Sequence, residues 1–267
     1  MFYVIAVLVC KQAYDLCMSE SKIITRIYCD PDLGGGLGAG LATPLGPGPA
    51  HKLRAVLRAK VGDELRLFNG RDGEWRARLI DLGKNKAMAE CIAQTLAPRP
   101  EPGPWLAFAP LKKDRLDMRI EKAVELGVER LIPVITARTE NRRLKYERLV
   151  QQTIDAAEQC ERLTVPEICE PIGVEKLSAI WPQDRTLMVA AERRNAPPLA
   201  QQLQTIDGPV GLLIGPEGGF ETRELDGLLK LPISIAIHLG PRILRAETAA
   251  IAALAVIQAQ CGDWRDQ

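Results

Sequence analysis

Four prolines within "LAPRPEPGP" (residues 96–104) divide this chain into two stretches of different rhythm. Proline fixes φ and lacks an amide hydrogen, so such a segment suits neither a helix interior nor a central strand. A domain boundary is therefore expected at 96–104. Ahead of it, "DELRLFNGRDGEWRARLIDLGKNKAMAECIA" alternates apolar and polar residues, with "NGRDG" and "GKN" supplying turns. That is the pattern of a small antiparallel barrel or sheet. Behind it, short apolar runs such as "WLAFAPL", "RLIPVIT", "TLMVAAE", "VGLLIG" and "SIAIHLG" alternate with helix-like segments. Runs of that kind read as strands buried on both faces of a parallel sheet, which makes this half α/β.

One helix is legible in detail. In "DRLDMRIEKAVELG", Leu116, Ile120, Ala123 and Gly127 fall on one stripe, with Gly127 as the C-cap. A polar helix is expected over about 143–162. The last helix, "RAETAAIAALAVIQAQCG", is dominated by alanine and suits either an interior position or a subunit interface. "PDLGGGLGAGLATPLGPGP" (31–49) is rich in Gly and Pro without a period and reads as a loop. In "HKLRAVLRAK", Leu53, Val56 and Leu57 share a side at helical spacing, and Lys52, Arg54, Arg58 and Lys60 take the rest. Those four cations suit either a solvated face or a surface for RNA phosphates.

Bulk properties exclude several classes. A net charge of +1 gives no global field for nucleic acid, though a local basic face stays open. Seven cysteines without a C-x-x-C pair, and only His51 and His238 as histidines, fit reduced thiols and offer no zinc or other metal site. His238, inside an apolar run, reads as a packed core residue. "MFYVIAVLVC" is too short to span a bilayer, which takes about 20 residues, and it lacks the flanks of a signal peptide. Met18 opens an ordinary cytosolic start. Residues 1–22 are accordingly read as an extension, with 1–17 a start-site artefact or dispensable, and the protein as cytoplasmic.

Chemistry concentrates in two glycine-punctuated stretches. "LLIGPEGGFETRE" (212–224) ends an apolar run at Gly215. It is no Walker loop, because Lys and Ser/Thr are missing, and it does not match G-x-G-x-x-G. Glu217 would also repel a pyrophosphate. A plain strand-to-helix turn is one reading, and a ligand mouth at the carboxyl end of a sheet strand is the other. "HLGPRILRAETAA" (238–250) repeats the logic: a strand end at Gly240, then Arg242, Arg245 and Glu247 at a helix start. Arginines there oppose the helix dipole, whereas they suit an RNA phosphate or a developing negative charge.

Taken together, "LLIGPEGGF" and "LGPRILRAETA" resemble the RsmE-type family of SPOUT methyltransferases. "KKDRLDMRIEKAVELGVERLIPVITAR" and "EQCERLTVPEI" resemble its other catalytic-domain segments, and "HKLRAVLRAKVGDELRLFNGRDG" its PUA-like RNA-binding domain. Five motifs in the family's order cover about residues 23–264. The resemblance implies a PUA-like β-barrel domain over 23–95, a linker at 96–104, and an α/β-knot (trefoil) SPOUT domain over 105–267. It implies S-adenosyl-L-methionine as cofactor, methylation of N3 of a specific uridine in 16S rRNA of the 30S subunit, and a homodimer. A SPOUT enzyme with another target atom and a non-catalytic ribosome-assembly factor are the alternatives.

By the same resemblance, Leu213, Ile214, Gly215, Glu217, Gly218, Gly219, Leu239, Gly240, Ile243 and Leu244 line the cofactor pocket. Because the N3 proton of uracil must leave, a base or an anion-stabilising cation is needed. Arg242 is expected to stabilise the anion or anchor the nucleotide. Glu217 or Glu247 either accepts the proton or orients an arginine, with a helix-start role for Glu247 equally open. Arg245 and Arg162 are further site or RNA contacts.

Overall fold

The computed structural model describes residues 23–191 and 194–265. The expected N-terminal extension, residues 1–22, lies outside them. The chain divides into two compact units, Met1–Arg99 and Pro100–Gln267.

In the first unit, strands β1 (Arg26–Tyr28), β2 (Ala42–Leu45), β3 (Glu64–Asn69), β4 (Gly73–Leu82) and β5 (Ala87–Leu96) form one sheet in the order β1-β3-β4-β5-β2. β1 runs parallel to β3 and the other pairs are antiparallel. Both edge strands feed one core, Ile27 from β1 and Leu45 from β2, together with Leu65, Leu67, Ala77, Leu79 and Ala89. The sheet therefore wraps around its own apolar side. Alternation sets the faces: Ala77 and Leu79 are buried while Arg76, Arg78 and Ile80 between and beside them are exposed. The "NGRDG" turn closes on itself, with Asn69 Oδ1 accepting from the Arg71 and Asp72 amides and Gly73 at φ +82°.

Two expectations fail here. The Gly/Pro-rich segment is not all loop: Ala42–Leu45 is a strand and Pro47–His51 a short helix, α1. Pro44 is tolerated because β2 is an edge strand, and Pro47 because the first helical turn needs no amide donor. Nor do Leu53, Val56 and Leu57 share a buried side. Lys52–Val56 continues α1 as a π-helical turn, so the three-to-four spacing no longer maps residues onto one face. Leu53 is buried while Val56 is 68% and Leu57 38% exposed.

In the second unit, strands β6 (Trp105–Phe108), β7 (Arg130–Ile135), β8 (Glu167–Ile168), β9 (Ile172–Gly173), β10 (Thr186–Ala190), β11 (Val210–Ile214) and β12 (Ser234–Ile237) form a sheet ordered β12-β10-β11-β6-β7-β8, with β9 beside β7. The pairings are all parallel. Helices α2 (Lys113–Glu125), α3 (Tyr146–Gln159), α5 (Leu199–Leu203) and α7 (Ala246–Cys261) cover one face; α4 (Leu177–Ile180) and α6 (Thr222–Leu229) cover the other. Strand residues alternate between two cores. Leu106, Phe108, Leu131, Met188, Leu212 and Ile214 belong to the first, whereas Ala107, Ile132, Val134, Val189 and Leu213 belong to the second. Burial on both faces is why these strands read as unbroken apolar runs.

The stripe on α2 behaves as expected: Leu116, Ile120 and Ala123 are buried, and Gly127 ends the helix at φ +74°. Gly127 also lies against a side chain of α7. A Cβ there would lie 2.3 Å from Gln258 Nε2, which donates 2.7 Å to the Leu126 carbonyl and so satisfies an acceptor left open by the helix end. Among the described residues, no helix is long and apolar enough to cross a membrane.

Candidate active site

β10 lies between β11 and β12, so the two glycine loops leave the same edge of the sheet two strand spacings apart, roughly 10 Å. The first loop, Gly215–Phe220, is shaped from within. A Cβ on Gly215 would lie 2.8 Å from the Phe220 ring, so the fold-back of that ring requires glycine there. Gly219 turns at φ +69°, and its amide donates to the Pro216 carbonyl at 2.9 Å. α6 then starts with a reciprocal capping pair, Glu221 and Glu224. Glu224 also accepts from the Ala137 amide at 2.7 Å, and Arg138 Nη1 donates to the Gly218 carbonyl at 2.7 Å. The turn after β7 thereby braces the first loop.

The second loop differs. Gly240 sits at φ +100°, and a Cβ on it would meet nothing within 4 Å. Its amide donates to His238 Nδ1 at 3.0 Å. His238 is half-buried and ties down the loop; it is not the packed core residue its surroundings suggested. Leu239 and Leu244 pack against the core, whereas Ile243 is 73% exposed. Arg242 and Arg245 are exposed, and their side chains make no hydrogen bond or ion pair among the described residues.

One arginine joins the two loops. Arg115, on α2, is bonded through Nη1 to Glu217 Oε1, and its Nε lies 3.8 Å from Glu247 Oε1. Glu217 is half-exposed at the mouth. Glu247 is buried in the first turn of α7, where the helix dipole favours a carboxylate, and its Oε2 has no hydrogen-bond partner among the described residues. One turn along α2, Arg119 is fully buried and donates through Nη1 to the Ala109 carbonyl at 3.0 Å. Its Nε and Nη2 have no hydrogen-bond partner among the described residues. Burial pushes the Arg119 pKa down to about 10, opposed by the Glu247 and Glu217 carboxylates. Two arginines of α2 and two glutamates thus form a charged floor beneath the loops, with Leu111 and Pro216 beside Glu217 at the mouth.

The expected site residues sort accordingly. Glu217, Gly218, Gly219, Leu239, Gly240, Arg242, Ile243 and Arg245 stand on the two loops. Leu213 and Ile214 do not line the mouth with side chains; they point into opposite cores, which leaves only their backbone to meet a ligand. Arg162 is not a surface contact. Its Nη1 donates to the Val124 and Val128 carbonyls at 3.0 and 2.8 Å, and its Nη2 to Thr164 Oγ1 at 3.1 Å. Burial lowers its pKa, with Glu101 opposing. Arg54, Arg58 and Lys60 are exposed and Lys52 half-exposed in the first unit. Arg115, Arg119 and Arg138 escaped the sequence reading. The available signal was the four-residue spacing of Arg115 and Arg119, which puts both beside the apolar stripe Leu116–Ile120 and aims them inward.

A parallel sheet with glycine loops at its carboxyl mouth, built over an arginine-rich floor and accompanied by a separate five-stranded unit, defines a two-domain α/β-knot RNA methyltransferase of SPOUT type with a PUA-like domain. Residues 100–258 match the RNA methyltransferase domain family, and residues 53–90 match the RNA methyltransferase PUA domain family. The ribosomal RNA small subunit methyltransferase E of Rickettsia conorii is 38% identical over 213 residues, covering 78% of this chain and 85% of its own length. The Bacillus subtilis protein of the same name is 30% identical over 224 residues, covering 79% and 87%. Among solved structures, a ribosomal RNA small subunit methyltransferase E from Neisseria gonorrhoeae bound to S-adenosyl methionine superposes with a TM-score of 0.77 at 31% identity, covering 88% of this chain and 97% of its own. A Legionella pneumophila methyltransferase in complex with the same cofactor gives 0.75 at 29% identity, covering 89% and 98%. This chain belongs to the ribosomal RNA small subunit methyltransferase E family.

Proposed function

We propose that the protein methylates N3 of one specific uridine of 16S rRNA in the 30S subunit, using S-adenosyl-L-methionine. The observation that carries the reading is the joining of the two glycine loops through Arg115, with Arg242 on their rim making no hydrogen bond or ion pair among the described residues. The residues fit the cofactor. Around Gly240 the backbone faces open space that even a Cβ would not fill, beside the apolar Leu239 and Leu244. Gly218 and Gly219 expose backbone across from it. These residues, with the peptide groups of Leu213–Gly215, would hold it. When bound, the cofactor supplies an electrophilic methyl group on a sulfonium.

The chain's own residues then do three things. The loops fix the geometry of attack, which supplies much of any rate enhancement in such transfers. Arg242 anchors the target nucleotide and stabilises the uracil anion left when N3 gives up its proton to solvent water, and that anion takes the methyl group as the sulfonium becomes a neutral thioether. Arg115 holds Glu217 and Glu247 in place, which favours a positioning role for both carboxylates over direct proton transfer, with Glu217 the one that a nucleotide can reach. Arg245 is a second phosphate contact. Lys52, Arg54, Arg58 and Lys60 give the PUA-like unit (about 23–95) a basic surface for rRNA, and the 105–267 unit carries the chemistry.

We further read the protein as a cytoplasmic homodimer. Ile251, Ala252, Ala255 and Val256 on α7 remain half-exposed, and so leave a side of small and apolar residues for a second copy. The deciding assay is tritiated-methyl transfer from adenosylmethionine to 30S subunits lacking the modification, followed by nucleoside mass spectrometry. Formation of N3-methyluridine is expected. A different methylated nucleoside, or none, refutes the assignment.

A further inference from the structure

On the same edge of the sheet as the glycine loops, but beside β7, is a cavity of about 250 Å³ that the methyl-transfer reading leaves unused. Pro133, Leu144 and Pro171 give it apolar walls, and Arg143, Tyr146 and Glu170 give it polar ones. Pockets for drug-sized ligands begin at roughly 300 Å³, so this one is the size of a single base. Tyr146 is 37% exposed, and its ring cannot swing freely, because its hydroxyl donates 2.9 Å to the Ile168 carbonyl. Arg143 and Glu170 are exposed, carry opposite charges, and neither side chain makes a hydrogen bond or ion pair among the described residues. The neighbouring arginines, in contrast, are committed. Arg142 donates to the Thr136 and Ala137 carbonyls, and Arg138 to Gly218. Those bonds tie the turn that leads to the cavity directly to the first glycine loop.

We propose that this cavity is a subsite for a guanine nucleotide of the substrate RNA, near the nucleotide that is methylated. The inference rests on the reading of the protein as an rRNA methyltransferase. A fixed aromatic face next to a free cation is how single-stranded nucleic acid is held: the base stacks and the backbone phosphate meets the charge. Here Tyr146 is the platform and Arg143 takes the phosphate. Glu170 selects the base. A carboxylate accepts two parallel hydrogen bonds from adjacent donors, and N1–H with N2–H of guanine is such a pair. Uracil offers one ring N–H flanked by carbonyls, and adenine one exocyclic amine beside an acceptor.

The test uses the full chain with guanosine, adenosine and uridine 5′-monophosphates in saturation-transfer NMR, and 30S subunits in filter binding. Guanosine monophosphate should give the strongest signal. It should fall at least about fivefold in Tyr146→Leu, as expected for loss of a stacked base, and lose its advantage over the other two nucleotides in Glu170→Gln. In Arg143→Ala the salt slope of 30S binding should drop by about one. Adenosylmethionine affinity should stay at the wild-type value in all three variants. Arg143 and Glu170 are exposed, so their variants test the proposal even if Tyr146→Leu fails to fold. Methyl transfer by the wild type alongside equal signals for the three nucleotides overturns the subsite alone. A guanine preference that needs Glu170, without methyl transfer to 30S subunits, supports the subsite and overturns the activity.

Discussion

Replacing Arg162 with alanine separates two roles that a basic residue near an RNA-binding enzyme's active domain can have. Its side chain is 10% exposed; its guanidinium donates to the Val124 and Val128 carbonyls and Thr164 Oγ1, and pairs at 3.8 Å with the Glu101 carboxylate. Breaking a buried charge pair costs about 3–5 kcal/mol when the remaining ion is stranded. Glu101 would not be wholly stranded, because it still accepts from the Thr164 amide and hydroxyl at 3.0 and 2.8 Å. Val124 O keeps the Gly127 amide at 3.1 Å. The Val128 carbonyl loses a charged donor, a bond of about 1.5–3 kcal/mol. The low end of the first range, about 3 kcal/mol, is therefore expected. For a unit of this size that lowers Tm by roughly 6–12 °C. Differential scanning calorimetry measures it, and filter binding to 30S subunits across a salt series measures the alternative. A phosphate contact removed would reduce the salt slope by about one. A Tm unchanged to within a degree or two, with the slope reduced by one, would show that Arg162 faces RNA and that the reasoning from its bonds is wrong.

Arg242→Ala should abolish methyl transfer to 30S subunits while calorimetry shows adenosylmethionine binding largely intact; near-normal turnover removes Arg242 from the chemistry. Gly218→Val should weaken the cofactor by at least about tenfold, or roughly 1.4 kcal/mol. The fold should survive, because the nearest atom to an added Cβ is Arg138 Cδ at 3.5 Å; unchanged affinity would place the cofactor elsewhere. The double reversal Arg54→Glu, Lys60→Glu should lower 30S affinity and flatten its salt dependence, and wild-type binding would make that surface a merely solvated one. Burial, helped by Asp30 and Asp32, raises the Tyr28 phenol to about 12 from its ordinary 10. The folded state thus keeps a proton that the unfolded state loses, so the stability this group contributes is intact below pH 10 and falls as pH rises to about 12. Absorbance titration at 295 nm, with Tyr28→Phe to assign the step, should find that phenolate forming late.

Strands buried on both faces were legible because their apolar runs need no partner to be recognised, and α2 because its stripe keeps a 3.6-residue period through to Gly127. The α1 region was not, since a π-helical turn breaks the relation between spacing and face on which Val56 and Leu57 were assigned. β2 was hidden by Pro44, which reads as a strand breaker unless the strand is known to lie at an edge. In the site, the loop residues carried their own punctuation. The charges beneath them did not. Arg115 meets Glu217 and Glu247 across more than a hundred residues of sequence, and nothing local to any of the three announces the other two. Arg162 shows the opposite error: a cation in a family motif invites an RNA role, but its environment, set by the carbonyls at the end of α2, makes it a structural clamp.

The pairing of β6 with β11 also fixes when the protein becomes an enzyme. Phe108 finds its sheet neighbour at Ile214, so at ribosomal speeds of about 5–20 residues per second the central strand waits roughly 5–20 s for the partner that completes it. The latch of Gln258 on the turn at Leu126 closes later still. Contacts this distant in sequence make for slow folding. During that interval β7 already flanks β6 and α3 already packs on α2, so only the sides that β11 and α7 will cover stay open, and the order of synthesis places the seating of α7 late.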